Sequence, residues 1–134
     1  MPGRHAPGIG EDRIHDLASD LHGDMHGAVY DLLLGATPRI TGHSGAIRNL
    51  AIELPNAAKI AASALDGSVL PIQGPPGTGK TYTGAHMILE LVKKGKKVGV
   101  TAVGHKAIEN LLLRINKEAA KEGVDVNVMH KDSI

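Results

Sequence analysis

The sequence predicts an α/β fold: a P-loop-type parallel sheet preceded by a helical segment. Three observations carry that expectation. From Val69 onward, short apolar runs alternate with helical periodicity in the order β-α-β-α-β, which implies a doubly wound sheet with right-handed crossovers. The first apolar run leads into a glycine-rich loop over residues 74–81, placing a ligand at the carboxyl edge of that strand. The chain has 134 residues and 42 % hydrophobic content, enough for the core of one domain.

The elements follow in order. Residues 1–10, with Pro2, Gly3, Pro7, Gly8 and Gly10, read as an irregular lead-in. Residues 11–55 form a helical adaptor and connector. From about Glu11 to Leu34, Ile14, Leu17, Leu21, Met25, Ala28 and Leu32 share one stripe at 100° per residue, so an amphipathic helix is predicted. Gly35 caps it and Pro38 prevents its continuation. The glycine- and proline-rich stretch 35–55 is the predicted boundary.

Residues 56–134 make up the partial α/β domain. Asn56 serves as N-cap of a short helix over 57–65, ended by Asp66-Gly67. A buried strand over 69–72 follows, although Pro71 cannot donate to a ladder. After the loop, Ala85, Ile88, Leu89 and Val92 recur at helical spacing from Thr81. Gly95 breaks that helix, and 97–102 reads as a second strand. A further helix over about 105–121 turns Ile108, Leu111, Leu112 and Ile115 inward and stops at Gly123. Val124, Val126 and Val128 then alternate with polar residues as a third strand.

The loop reads Gly-Pro-Pro-Gly-Thr-Gly-Lys-Thr, which fits the pattern G-x-x-x-x-G-K-[ST] at every fixed position. Glycines at 74, 77 and 79 let the backbone turn successive N–H groups inward at a phosphate. Gly74, Pro75, Pro76, Gly77, Thr78, Gly79, Lys80, Thr81 and Tyr82 are therefore the candidate nucleotide-binding residues. Lys80 reaches the β/γ-phosphates and Thr81 ligates Mg²⁺, so ATP and Mg²⁺ are the implied cofactors and these two residues the candidate catalytic ones.

Composition narrows the class. No apolar run approaches membrane-spanning length, residues 1–10 lack the apolar core of a signal peptide, and there is no cysteine, which fits a cytoplasmic protein. Residues 1–66 hold 8 acidic and 5 basic side chains, and residues 67–134 hold 6 and 10. The half carrying the loop is thus the basic one, which suits a phosphate ligand. Lys93, Lys94, Lys96 and Lys97 read as cations solvating a helix end. Tyr30 and Tyr82 are the only aromatic residues of the Phe, Trp and Tyr class, so base stacking is not a major theme. His22 and His26 have i,i+4 spacing able to grip a metal, but Gly23 and Asp24 stand where a His-Glu-x-x-His motif needs its glutamate. His86 reads as packing or surface.

A second motif spans residues 100–112, Val-Thr-Ala-Val-Gly-His-Lys-Ala-Ile-Glu-Asn-Leu-Leu. Here a strand end meets a helix N-terminus, and Thr101, His105 and Lys106 add side-chain donors suited to phosphate. Together with Ile72-Gln73 and the loop, this stretch resembles superfamily 1 helicases. The branch it resembles most is that of the nonsense-mediated-decay helicases, in particular bacterial proteins joining a RecB-like nuclease to such a helicase. Residues 69–115 carry the resemblance, and residues 31–39 carry it more faintly. It implies a RecA-like motor domain in which the loop binds ATP and Thr101, His105 and Lys106 lie on a single-stranded DNA or RNA track. The partners implied are the rest of the motor domain and a nuclease domain.

Two departures from the family pattern stand out: Val103-Gly104 replaces its usual Asn-Ser, and Asn56-Ala57 stands near the place of an adenine-reading glutamine. Hydrolysis also needs an acidic pair and arginines, and the chain offers only Asp132 near the third strand's end. A fragment of a helicase motor that binds nucleotide without efficient turnover is expected. The alternatives are a nucleotide-binding regulatory module or another P-loop ATPase.

Overall fold

A computed structural model describes residues 27–47 and 53–131. They fall into two compact units, one holding residues up to 41 together with 65–70, the other 42–64 together with 71 onward.

In the first unit, α1 spans Gly27–Leu34. Gly35 adopts φ 61°, and the Ala36 N–H bonds the Asp31 carbonyl at 2.9 Å, closing the helix as predicted. The predicted apolar stripe fails here: Leu32 is 62 % exposed, and the buried residue of α1 is Asp31. An ion pair explains the inversion. Arg39 Nη1 donates to Asp31 Oδ1 at 2.8 Å, and its Nη2 donates to the Gly67 carbonyl at 2.8 Å. Ser68 Oγ accepts from the Arg39 N–H at 3.2 Å, and Ile40 pairs with Leu65 in an antiparallel bridge. The earlier part of the predicted helix, with His15, His22 and His26, lies outside the described residues.

The second unit is built from three helices, α2 (Leu54–Ala64), α3 (Lys80–Lys93) and α4 (His105–Glu122). Helix α3 packs against both of the others. Its inner face supplies Ala85 and Leu89, which meet Ile115 and Ala119 of α4, with Ile88, Leu111, Leu112, Val124 and Val126 around them. Helix α2 buries Ala57, Ala58 and Ala61, small residues that permit close approach. It starts earlier than predicted. The Glu53 carbonyl accepts from the Ala57 N–H at 3.0 Å, and Pro55 fits the first turn, where its missing N–H costs nothing. Asn56 therefore lies inside the helix instead of capping it.

No strand forms among the described residues. The segments 69–72, 97–102 and 124–128 run without a ladder, so the predicted parallel sheet is not seen among the described residues. Central parallel strands are covered on both faces, whereas Ile72 and Val98 are exposed, and Pro71 has no N–H to donate. Val124 and Val126 bury their side chains against α3 and α4 without strand pairing. Their alternation with exposed Asp125 and Asn127 is nevertheless the predicted one. No described helix is long and apolar enough to cross a membrane.

Candidate functional site

The glycine-rich loop over residues 74–81 leads directly into α3, whose N-cap is Gly79 in the left-handed region at φ 83°. Gly77 has φ 81°, another conformation that strongly favours glycine. Gly74 is constrained by space: a Cβ there would meet Thr78 Oγ1 at 2.9 Å. Thr78 Oγ1 donates to the Pro75 carbonyl at 2.8 Å, tying the loop to itself. Lys80 folds over the same turn, and its Nζ donates to the carbonyls of Gly74 and Pro75 at 2.5 and 2.7 Å. Gly74, Pro75, Thr78 and Lys80 are thus drawn into one cluster, with Pro76, Gly77, Gly79, Thr81 and Tyr82 exposed on or beside it.

The electrostatics favour an anion. No side chain caps the N-terminus of α3, and no acidic residue stands in its first turn. The first N–H groups of a helix have no intrahelical partner, and the macrodipole makes that end positive.

The second predicted group sits at the start of α4. Gly104 is its N-cap, in extended conformation and without a side-chain cap bond, and the first turn again holds no acid. Thr101, His105 and Lys106 are all exposed. His105 also meets a residue the sequence reading did not connect with it: His130, whose ring stands edge-on at a centroid distance of 6.5 Å. Val103 is fully exposed, so no contact of its own fixes that corner.

A buried polar cluster that the sequence did not predict lies between α3 and α4. His86 is 6 % exposed and Glu118 3 %. His86 Nδ1 lies 3.2 Å from Glu122 Oε1, and its Nε2 lies 3.9 Å from Glu118 Oε2. Lys121 and Arg114 hold the Glu118 carboxyl below the usual carboxylate range, against the opposing effect of burial. Lys93 hydrogen-bonds Glu122, lowering the carboxyl's pKa while its own is raised. Lys94 pairs with Glu90 at 3.4 Å. One signal was available in the sequence: Tyr82 and His86 stand four residues apart and so share a helix face. Among the described residues, no group of three or more metal-ligating side chains occurs.

Residues 52–133 match the AAA domain family. DNA-binding protein SMUBP-2 of Mus musculus is 31 % identical over 97 residues, covering 70 % of this chain and 10 % of that protein. The protein of the same name from Mesocricetus auratus gives the same figures. The DNA replication ATP-dependent helicase/nuclease DNA2 of Saccharomyces cerevisiae is 46 % identical over 44 residues, covering 33 % of this chain and 3 % of that protein. The chain spans about a tenth of the length of the two SMUBP-2 relatives. No solved structure matches it. The chain belongs to the AAA domain family, as a P-loop NTPase-like member of its superfamily 1 helicase-like group.

Proposed function

We propose that this domain is the ATP-binding part of an ATP-dependent helicase. The observation that carries this reading is the uncapped N-terminus of α3, set directly behind a loop of left-handed glycines and Lys80. The residues present fit a nucleoside triphosphate with Mg²⁺. A cradle that a side chain at Gly74 would crowd surrounds Lys80, and the exposed Thr81 hydroxyl is a hard oxygen donor suited to Mg²⁺. Thr81 would hold Mg²⁺, which would supply positive charge to offset that of the phosphates. Lys80 exchanges its bonds to the Gly74 and Pro75 carbonyls for bonds to phosphate, and the first N–H groups of α3 bind the remaining oxygens.

In the same reading, Thr101, His105 and Lys106 touch the backbone of single-stranded DNA or RNA. The names of the relatives, a DNA-binding protein and a helicase/nuclease, support this assignment. The rest of a motor domain and a RecB-like nuclease are the proposed partners. No acidic pair or arginine is assigned to hydrolysis within the chain, so it binds ATP without efficient turnover.

Titration of Mg-ATP into the wild type and Lys80→Ala tests the site. Loss of a charge-assisted phosphate contact, on the order of 2 kcal/mol, weakens binding at least tenfold. Equal affinity of the two proteins refutes the assignment.

A further inference from the structure

The chain contains the dipeptide His-Lys twice, at 105–106 and at 130–131, and the fold brings the two together. The imidazole rings of His105 and His130 stand 6.5 Å apart between centroids, at an interplanar angle of 66°. The first dipeptide opens α4, and the second follows the run of Val124 and Val126 that packs along α3 and α4. All four side chains are exposed, so burial does not account for the pairing. Each dipeptide also has an apolar side chain close by in solvent: Val103 before the first and Met129 before the second, both almost fully exposed. Apolar groups gathered in water among polar neighbours mark a contact surface.

Charge decides which class of partner that surface takes. Lys106 and Lys131 form no ion pair among the described residues. The first turn of α4 contains no acid, and Glu109, one turn further along, is the first that the helix carries. Two lysines on one surface suit a polyanion, and the imidazole rings add what point charges lack, flat faces on which an unstacked base can lie. An acidic peptide matches the lysines as well but has no bases to place on the rings. A metal fits less well, since no third ligand joins the two imidazoles among the described residues.

We infer that His130 and Lys131 are nucleic-acid contacts, completing with His105 and Lys106 one surface that grips a single-stranded phosphodiester chain. Lys106 and Lys131 each bind a phosphate, one from each segment of the fold. The imidazoles donate hydrogen bonds to the backbone and offer their faces to a base. The inference rests on the nucleic-acid reading of Thr101, His105 and Lys106, and extends it to a segment outside that motif.

Fluorescence anisotropy of labelled oligothymidylate and oligouridylate strands of about 15 nucleotides, titrated with the 134-residue chain at low salt, tests it. Binding to either strand supports the surface, and the tighter of the two identifies the polymer it takes. His130→Ala and Lys131→Ala are each expected to weaken binding about fivefold, as Lys106→Ala does. Lys131→Ala also reduces the slope of log affinity against log salt by about 0.7, the loss of one phosphate contact on a single strand. Lys117→Ala removes the same charge about three turns along α4 from Lys106 and binds as wild type does. These side chains are all exposed, so the variants keep the circular dichroism and melting of wild type.

Wild-type binding by both His130→Ala and Lys131→Ala, with Lys106→Ala weakened, overturns the inference and leaves the motif reading intact. Wild-type binding by His130→Ala alone, with both lysine variants weakened, is charge attraction without the rings and also overturns it. Equal weakening by Lys117→Ala does the same. Absence of wild-type binding to both strands defeats the nucleic-acid reading, and the inference falls with it.

Discussion

Thr78 and Gly74 share a contact that leaves no room for a side chain at position 74. A Cβ 2.9 Å from Thr78 Oγ1 must push that hydroxyl off the Pro75 carbonyl, so Gly74→Ala opens the turn that gathers Lys80. Gly79 is constrained differently, through its φ of 83°, where a side chain costs about 1–2 kcal/mol. Gly79→Ala therefore lowers the thermal midpoint and weakens Mg-ATP, whereas Gly74→Ala acts mainly on affinity. Melting and titration of both variants separate strain from crowding, and identical melting of Gly79→Ala and wild type contradicts the assignment. These residues were legible in the sequence because their constraints are local. Asp31 was not. Position 31 lies off the apolar stripe, and Arg39 and Ser68, which arrive from distant positions, make its burial tolerable.

Two of the three helices of the second unit, α3 and α4, are punctuated by glycine at their C-termini. Beyond α3, the Gly95 N–H bonds the Val92 carbonyl at 2.8 Å and the Lys96 N–H bonds that of Leu91 at 3.0 Å, the paired bonds of a left-handed helix end. Beyond α4, Gly123 plays the same part, and the Val124 N–H bonds the Ala119 carbonyl at 2.9 Å. Gly123→Ala is predicted to cost about 1–2 kcal/mol, measured by denaturant unfolding, because Ala disfavours that φ. Ile115→Ala should cost more, about 2–5 kcal/mol, since Ile115 is fully buried between Ala85, Leu89 and Ala119. A smaller loss for Ile115→Ala than for Gly123→Ala would argue against this core. Helical periodicity revealed these elements because 3.6-residue spacing is a property of one segment. Strand pairing belongs to two segments at once, and the runs at 69–72, 97–102 and 124–128 did not reveal from their own composition whether a partner would align.

Across the whole molecule, the carboxylates that have partners set the response to acid. Asp31, Glu118 and Glu122 all have their pKa lowered in the folded chain, chiefly by Arg39, Lys121 and Lys93 respectively. A lowered carboxyl pKa contributes stability above its unfolded value and loses it as the pH falls through the folded one. Lys93 has the opposite sign: its raised pKa contributes at neutral pH and is lost only in strong alkali. Stability is therefore predicted to hold at neutral pH and to fall below about pH 4.5. Replacement of Glu118 by Gln should flatten that fall, as followed by circular dichroism across an acid titration. An acid limb as steep in Glu118→Gln as in wild type would show that Glu118 is no part of it.

The sequence by itself determined the left-handed glycines of the loop over residues 74–81 and the helices α3 and α4 behind it, and residues 52–133 join the chain to its family. Each is encoded within a few consecutive residues, by backbone freedom at glycine or by the repeat of one helix. Tertiary structure alone decided that Asp31 is buried, that His86 sits between Glu118 and Glu122, that His130 stands beside His105 and that the apolar runs remain unpaired. Burial and pairing depend on groups that arrive from distant positions, and their cost or gain exists only once the helices have packed.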